Sequence, residues 1–185
     1  EEFFLNLKGT KTKTYGIIII IGVILITIFL SISDIKFYYY NEMADYSMQN
    51  NNYLKAIDYY NKIIDINDSI YEVYFNKGAA LIKLRDYDNA LKTFDEAKQL
   101  NSNDCELYYN LGLIYQLTNE MDMSNSMFEK TIEINPDYFK AYSNLGENYV
   151  KLKNKELALE YFNKYLKYVP DDSDTLRIID DLAKQ

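Results

Sequence analysis

Glycine returns every 34 residues along this chain, at Gly78, Gly112 and Gly146. Phe94, Phe128 and Phe162 keep the same step, and so do Tyr74, Tyr108 and Tyr142. Ala90, Ser124 and Ala158 make a further series, and one period earlier stand Tyr40, Ala44, Ala56 and Tyr60, all of compatible type. Four units of 34 residues therefore run without insertion over 37–70, 71–104, 105–138 and 139–172, followed by a tail, 173–185. A period of this length marks one supersecondary unit copied in series. Such a unit cannot bury its apolar face alone, so neighbours have to stack.

Each unit reads as two helices. The Gly or Ala slot in the first helix and the Ala or Ser slot in the second are small, which lets paired helices approach closely. The recurring Phe and Tyr fill the space between units. Asn50-Asn51-Asn52, Arg85-Asp86, Thr118-Asn119 and Lys153-Asn154 read as turns within units. Asn67-Asp68, 101–104, Asn135-Pro136-Asp137 and Pro170-Asp171-Asp172 read as turns between them. In the tail, Ser173 is the expected N-cap. Leu176, Ile179 and Leu182 lie at helical spacing to cover the end of the fourth unit.

The pattern resembles the tetratricopeptide repeat, a 34-residue helix–turn–helix with an aromatic, Leu-Gly, Tyr, and later Ala, Phe and Pro. The fourth unit carries Tyr142, Leu145, Gly146, Tyr149, Ala158, Phe162 and Pro170. The third has Tyr108, Leu111, Gly112, Tyr115, Phe128 and Pro136, with Ser124 in the Ala slot. The second departs at Lys77 and Ser102, and the first, with Asp68 where Pro would stand, is the weakest. Tyr fills the family's usual Trp slot throughout. The resemblance implies an all-α, right-handed superhelical solenoid of four units with a C-terminal capping helix.

It also implies a concave surface lined by the first helix of each unit. The groove slots are Tyr38, Asn41, Glu42 and Asp45; Glu72, Phe75, Asn76 and Ala79; Glu106, Tyr109, Asn110 and Leu113; and Lys140, Ser143, Asn144 and Glu147. Five are acidic and one is basic. Asn76, Asn110 and Asn144 recur, and an Asn amide both donates to and accepts from a peptide backbone. Some family members clamp a C-terminal carboxylate with Lys, Arg and Asn. Here Asn41, Asp45 and Glu106 stand in the clamp positions, and Glu and Asp repel a carboxylate. The expected ligand is a basic or aromatic peptide, or a helix lying across Phe75 and Tyr109. The plainer account is a solvated acidic face with an Asn common to the family.

Ahead of the repeats lies "YGIIIIIGVILITIFLSIS", 19 residues without a charge from Tyr15 to Ser33. As a helix it would be about 28 Å long, which matches a hydrocarbon core of about 30 Å. A transmembrane helix over 15–33 is expected, after a basic flank at 1–14 holding Lys8, Lys11 and Lys13. Only Lys36 stands close behind it, so the positive-inside rule puts the N-terminus in the cytoplasm and the repeats outside. A cleaved signal peptide is the alternative, since Ser31-Ile32-Ser33 offers a small-x-small site. A repeat domain on the cytoplasmic side is the alternative topology. Nothing between 31 and 40 breaks a helix, so the anchor and the first repeat should share one.

Composition excludes more than it selects. The net charge is −8, which argues against a nucleic-acid partner. No His is present, Cys105 is alone, and no phosphate loop or nucleophile–base pair stands out. No cofactor, metal or catalysis is expected. Asp171 to Asp174 lacks the spacing of a calcium loop. Met121, Met123 and Met127 read as core filling. The expected function is a membrane-anchored adaptor or scaffold for other proteins, bound to the bilayer through 15–33. Self-assembly of the repeats into an oligomer is the alternative.

Overall fold

A computed structural model describes residues 2–184, with side chains described for 18–29 and 31–184. The side chains of the predicted basic flank and of the first residues of the predicted span, among them Lys8, Lys11, Lys13 and Tyr15, lie outside those described. The helices are α1 (Glu2–Gln49), α2 (Tyr53–Ile64), α3 (Tyr71–Lys83), α4 (Tyr87–Leu100), α5 (Cys105–Leu117), α6 (Met121–Ile134), α7 (Phe139–Lys151), α8 (Lys155–Leu166) and α9 (Ser173–Ala183). They fall into two compact bodies, one ending at Asp68 and one beginning at Ser69.

The first body is α1 with α2. From Ile18 to Phe29 the large apolar side chains of α1 are exposed, among them Ile19, Leu25 and Phe29. Helix α1 is long and apolar enough to cross a membrane. The hydroxyls on this stretch fold back onto their own helix. Thr27 Oγ1 donates to Ile24 O (2.8 Å), Ser31 Oγ to Thr27 O (2.9 Å) and Ser33 Oγ to Phe29 O (3.2 Å). Backbone and side-chain polar groups here thus need nothing from solvent. The helix runs unbroken across 31–40. Farther on, Ala44 and Ser47 are buried beside Ala56, Tyr59, Tyr60 and Ile63 of α2. Tyr40 and Tyr59 sit 6.1 Å apart, and the Lys62 ammonium lies over both rings.

In the second body α3 pairs with α4, α5 with α6 and α7 with α8, and α9 packs on α8. Each pair is locked at the glycine slot. A Cβ on Gly78 would lie 2.6 Å from Phe94, on Gly112 2.6 Å from Phe128, and on Gly146 2.6 Å from Phe162. The Phe rings are fully buried, so each phenyl face rests on bare helix backbone. The period in the sequence is thus a packing rule: Phe and Gly recur together because each needs the other.

The turns within units are equally regular. Asn51, Arg85, Asn119 and Lys153, spaced by 34, are the described non-glycine residues with positive φ, between 57° and 66°. Each closes a Schellman motif. In the second unit Arg85 N–H donates to Ile82 O (2.9 Å) and Asp86 N–H to Leu81 O (3.0 Å). Asn52, Asp86 and Asn154 then cap the next helix with their side chains, whereas Glu120 does not.

Three expectations need correction. The N-cap of α9 is Asp172, whose carboxylate accepts from the N–H groups of Asp174 and Thr175; Ser173 is already helical. Leu176 is exposed, and the covering face is instead Thr175, Ile178, Ile179 and Leu182. The helix begins one residue earlier than a Ser173 cap implies, and at about 100° per residue its inner side runs through 175, 178, 179 and 182, with Leu176 turned off that line. The methionines divide as well: Met121 is buried and fills core, but Met123 is exposed.

Candidate peptide-binding face

Helices α3, α5 and α7 stand side by side in the second body. Helix α3 touches α5 directly, and Asn144 Nδ2 on α7 donates to the Tyr109 hydroxyl on α5 (3.2 Å). Tyrosines hold their starting points. Tyr108 Oη donates to Ser102 O (3.2 Å), and one period on Tyr142 Oη donates to Pro136 O (3.0 Å). Tyr71 Oη donates to the Asp104 carboxylate (2.6 Å), the cap of α5. The ring in the family's Trp slot therefore also ties down the turn before its helix, through a hydroxyl.

Most of the predicted site residues lie on these three helices. Glu72, Glu106, Lys140 and Glu147 are exposed; Phe75, Asn76, Tyr109, Asn110 and Asn144 are half-buried. The aromatic pair is partly committed to the fold. Phe75 stands 6.0 Å from Phe94, and Tyr109 stands 5.6 Å from Phe128 and 4.9 Å from Tyr138. Leu113 packs with Tyr109 against the same cluster, so these residues offer a ligand only part of each side chain. The asparagines are also partly engaged. Asn110 Nδ2 donates to Glu106 O (3.0 Å), and Asn144 Nδ2 to Lys140 O (2.9 Å). Asn41 and Asp45 stand on α1 in the first body, Asn41 half-buried and Asp45 exposed.

The exposed charges among these predicted residues are three carboxylates, Glu72, Glu106 and Glu147, against one ammonium, Lys140. Burial, with Glu106 nearby, pushes the Tyr138 phenol up to about 12. Burial and then the Asp104 hydrogen bond push Tyr71 up, with Glu106 and Glu72 adding to it. Glu147 is exposed as a residue, yet partial burial of its carboxyl raises it above the usual range, and Lys151 opposes this only in part. In the first body, burial and then Asp45 push Tyr60 up to about 12. For each of these tyrosines burial is the larger cause and the neighbouring carboxylate the smaller.

One polar cluster escaped the sequence reading. Asn148 is completely buried. Its Nδ2 donates to Ser124 Oγ (2.8 Å) and Asn125 Oδ1 (2.9 Å), and its Oδ1 accepts from Gln116 Nε2 (2.8 Å). Ser124 Oγ in turn donates to Gly112 O (2.9 Å). The signal was there: Asn148 holds the slot of Ala80 and Ile114, and Ser124 the slot of Ala90 and Ala158. Two polar residues in apolar slots one unit apart bond each other.

Models of the tetratricopeptide repeat match residues 37–69, 71–104, 106–138 and 139–172. No curated protein matches the sequence significantly. Among solved structures, a crystal structure of MamA is similar at 25% identity and TM-score 0.69, over 75% of this chain and 81% of that one. MamA from Desulfovibrio magneticus RS-1 is similar at 23% identity and TM-score 0.67, over 72% and 76%. The first repeat domain of Spaghetti (RPAP3), bound to the HSP90 peptide SRMEEVD, is similar at 20% identity and TM-score 0.58, over 62% and 90%. Family models over most of residues 37–172, the glycine–phenylalanine lock and these neighbours agree: the chain belongs to the tetratricopeptide repeat family.

Proposed function

We propose that this protein is a membrane-held adaptor whose α3–α5–α7 face captures a basic, aromatic-bearing peptide or helix of another protein. The observation that carries this reading is the row of exposed Glu72, Glu106 and Glu147 beside the half-buried Phe75 and Tyr109. Cations are drawn to the carboxylates, and their stems or neighbouring rings can lie against the aromatic edges. The amide oxygens of Asn110 and Asn144 remain to accept from an extended backbone. The peptide in the RPAP3 structure, SRMEEVD, carries carboxylates at its end, which this row would repel.

The anchor half of the proposal rests on the exposed, uncharged stretch of α1, whose hydroxyls bond their own helix. In that arrangement α1 crosses the bilayer with its N-terminus cytoplasmic, and the repeats work on the far side, serving envelope proteins.

Fluorescence anisotropy with two labelled peptides tests the binding half. A Lys/Arg/Tyr-rich peptide should bind, with affinity falling about tenfold between low and physiological salt, and SRMEEVD should not. Glu106→Lys should weaken the first by about tenfold or more. Tighter binding of SRMEEVD, or indifference to Glu106→Lys, would defeat the reading.

A further inference from the structure

The 34-residue registration lets the end face of the first repeat be compared with the same face in the others. Tyr39 holds the slot of Val73, Leu107 and Ala141, all buried. Tyr46 holds the slot of Ala80, Ile114 and Asn148, each at 0% exposure. In the fourth repeat these slots meet the repeat before: Ala141 packs on Phe128, and Asn148 bonds Ser124 and Asn125. In the first repeat Tyr39 is 51% exposed and Tyr46 62%. The stacking face is present, but the chain just before Tyr39 is α1 itself, so no helical hairpin of this chain directly precedes it to stack there.

The same face continues back along α1 as a seam. Leu25, Phe29, Ile32, Lys36, Tyr39, Met43 and Tyr46 follow one another at steps of four and three. All are exposed except Met43, which is half-buried. Strict alternation of three and four is the contact line of a two-stranded, left-handed coiled coil. Lys36 then takes a single a position. A lone Lys there sets register and strand number at some cost in stability, and its stem can lie along the seam while the ammonium reaches water. Gly22, one heptad before Phe29, has nothing within 4 Å of where its Cβ would be, so it allows close approach within the apolar stretch.

Lipid can cover the seam as far as Ser33, but from Lys36 to Tyr46 it stands beyond the apolar stretch, where a long, straight helix with a matching heptad would cover it. A second copy meets that requirement with no new sequence, since a bilayer holds two α1 helices parallel and at one depth. We propose that α1 pairs with α1 of a second copy in a parallel coiled coil from Leu25 to Tyr46. Tyr39 and Tyr46 then gain from the second copy the burial that the other repeats get from the repeat before. The inference rests on the membrane reading only for the parallel setting of the two chains.

Disulfide trapping of the full chain in lipid vesicles tests it. In a Cys105→Ala background, Tyr39→Cys, Tyr46→Cys and Asp45→Cys are oxidised mildly and read as dimer on a non-reducing gel. Tyr39→Cys and Tyr46→Cys, on the seam, should give most of the chain as dimer. Asp45→Cys, two positions past the Met43 contact and off the seam, should give several-fold less. Equal trapping at all three, or none, would overturn the pairing. Carbonate extraction of the same vesicles separates the two claims. Chains that resist extraction but lack seam dimers defeat the pairing alone; chains that extract but still trap at the seam defeat the membrane reading and support the pairing.

Discussion

At the scale of single residues, the fold depends on contacts too close to admit one carbon. Gly112→Ala should raise helix propensity by about 1 kcal/mol. It also drives a methyl to 2.6 Å from the fully buried Phe128 ring. Overpacking of that kind costs about 1–3 kcal/mol or more, so the expected outcome is net destabilisation. Urea denaturation of the variant measures it, and Phe128→Leu in the same chain should recover part of the loss. Glu147 gives a prediction with the opposite sign. Its carboxyl is raised in the folded state by burial, so the folded protein prefers it protonated. That contribution is full below the ordinary Glu range and is lost as pH rises through the raised value. Glu147→Gln should therefore stabilise the protein at neutral pH, and the advantage should fade on acidification. Matched melts at pH 4 and pH 7 read the difference. Sequence made the glycines visible because they recur. It left Asn148 unseen because its hydrogen bonds join residues up to 32 positions apart, which no local pattern displays.

At the scale of the helix and its turn, the sequence shows where each turn falls but not its handedness. Asn51 and Asn119 suit a left-handed conformation; Arg85 and Lys153 adopt it at some strain. Backbone regularity overrides residue preference at these two positions. Arg85→Asn should accordingly stabilise the second body by up to about 1 kcal/mol, read as a rise in Tm. The same reasoning explains the α9 correction. Asp172 outcompetes Ser173 as cap because its carboxylate reaches two backbone N–H groups and also accepts from Tyr165 Oη (2.7 Å). The predicted groove slots came from family register, and among them Glu72, Glu106, Lys140 and Glu147 are exposed. It could not tell how much of Phe75, Tyr109 and Leu113 is turned inward, because that depends on the partner ring each meets in the neighbouring helix.

At the scale of the whole molecule, an acidic chain combines a long apolar helix with repeats that present carboxylates. Its net charge of −8 is of the sign that attracts cations, as the proposed partner requires. The "KFYYYNE" stretch lies where the apolar part of α1 passes into the first repeat. Phe37 and Tyr40 are half-buried and Ala44 is fully buried on the α2 side, while Ile35, Tyr38 and Tyr39 stay exposed. One uninterrupted helix thus serves as proposed anchor and as the first helix of the first repeat, with no linker to decouple them.

That claim is best tested by a spin-label scan of α1 in lipid nanodiscs, one label at a time from residue 20 to residue 48. The account predicts a single helical periodicity without a mobile interval. Oxygen accessibility should peak through residue 33, then give way to immobilised labels at 37, 40 and 44 and water-accessible labels at 38 and 45. Fast, aperiodic line shapes between 31 and 40, or water-soluble quencher reaching labels 20 to 30, would contradict it.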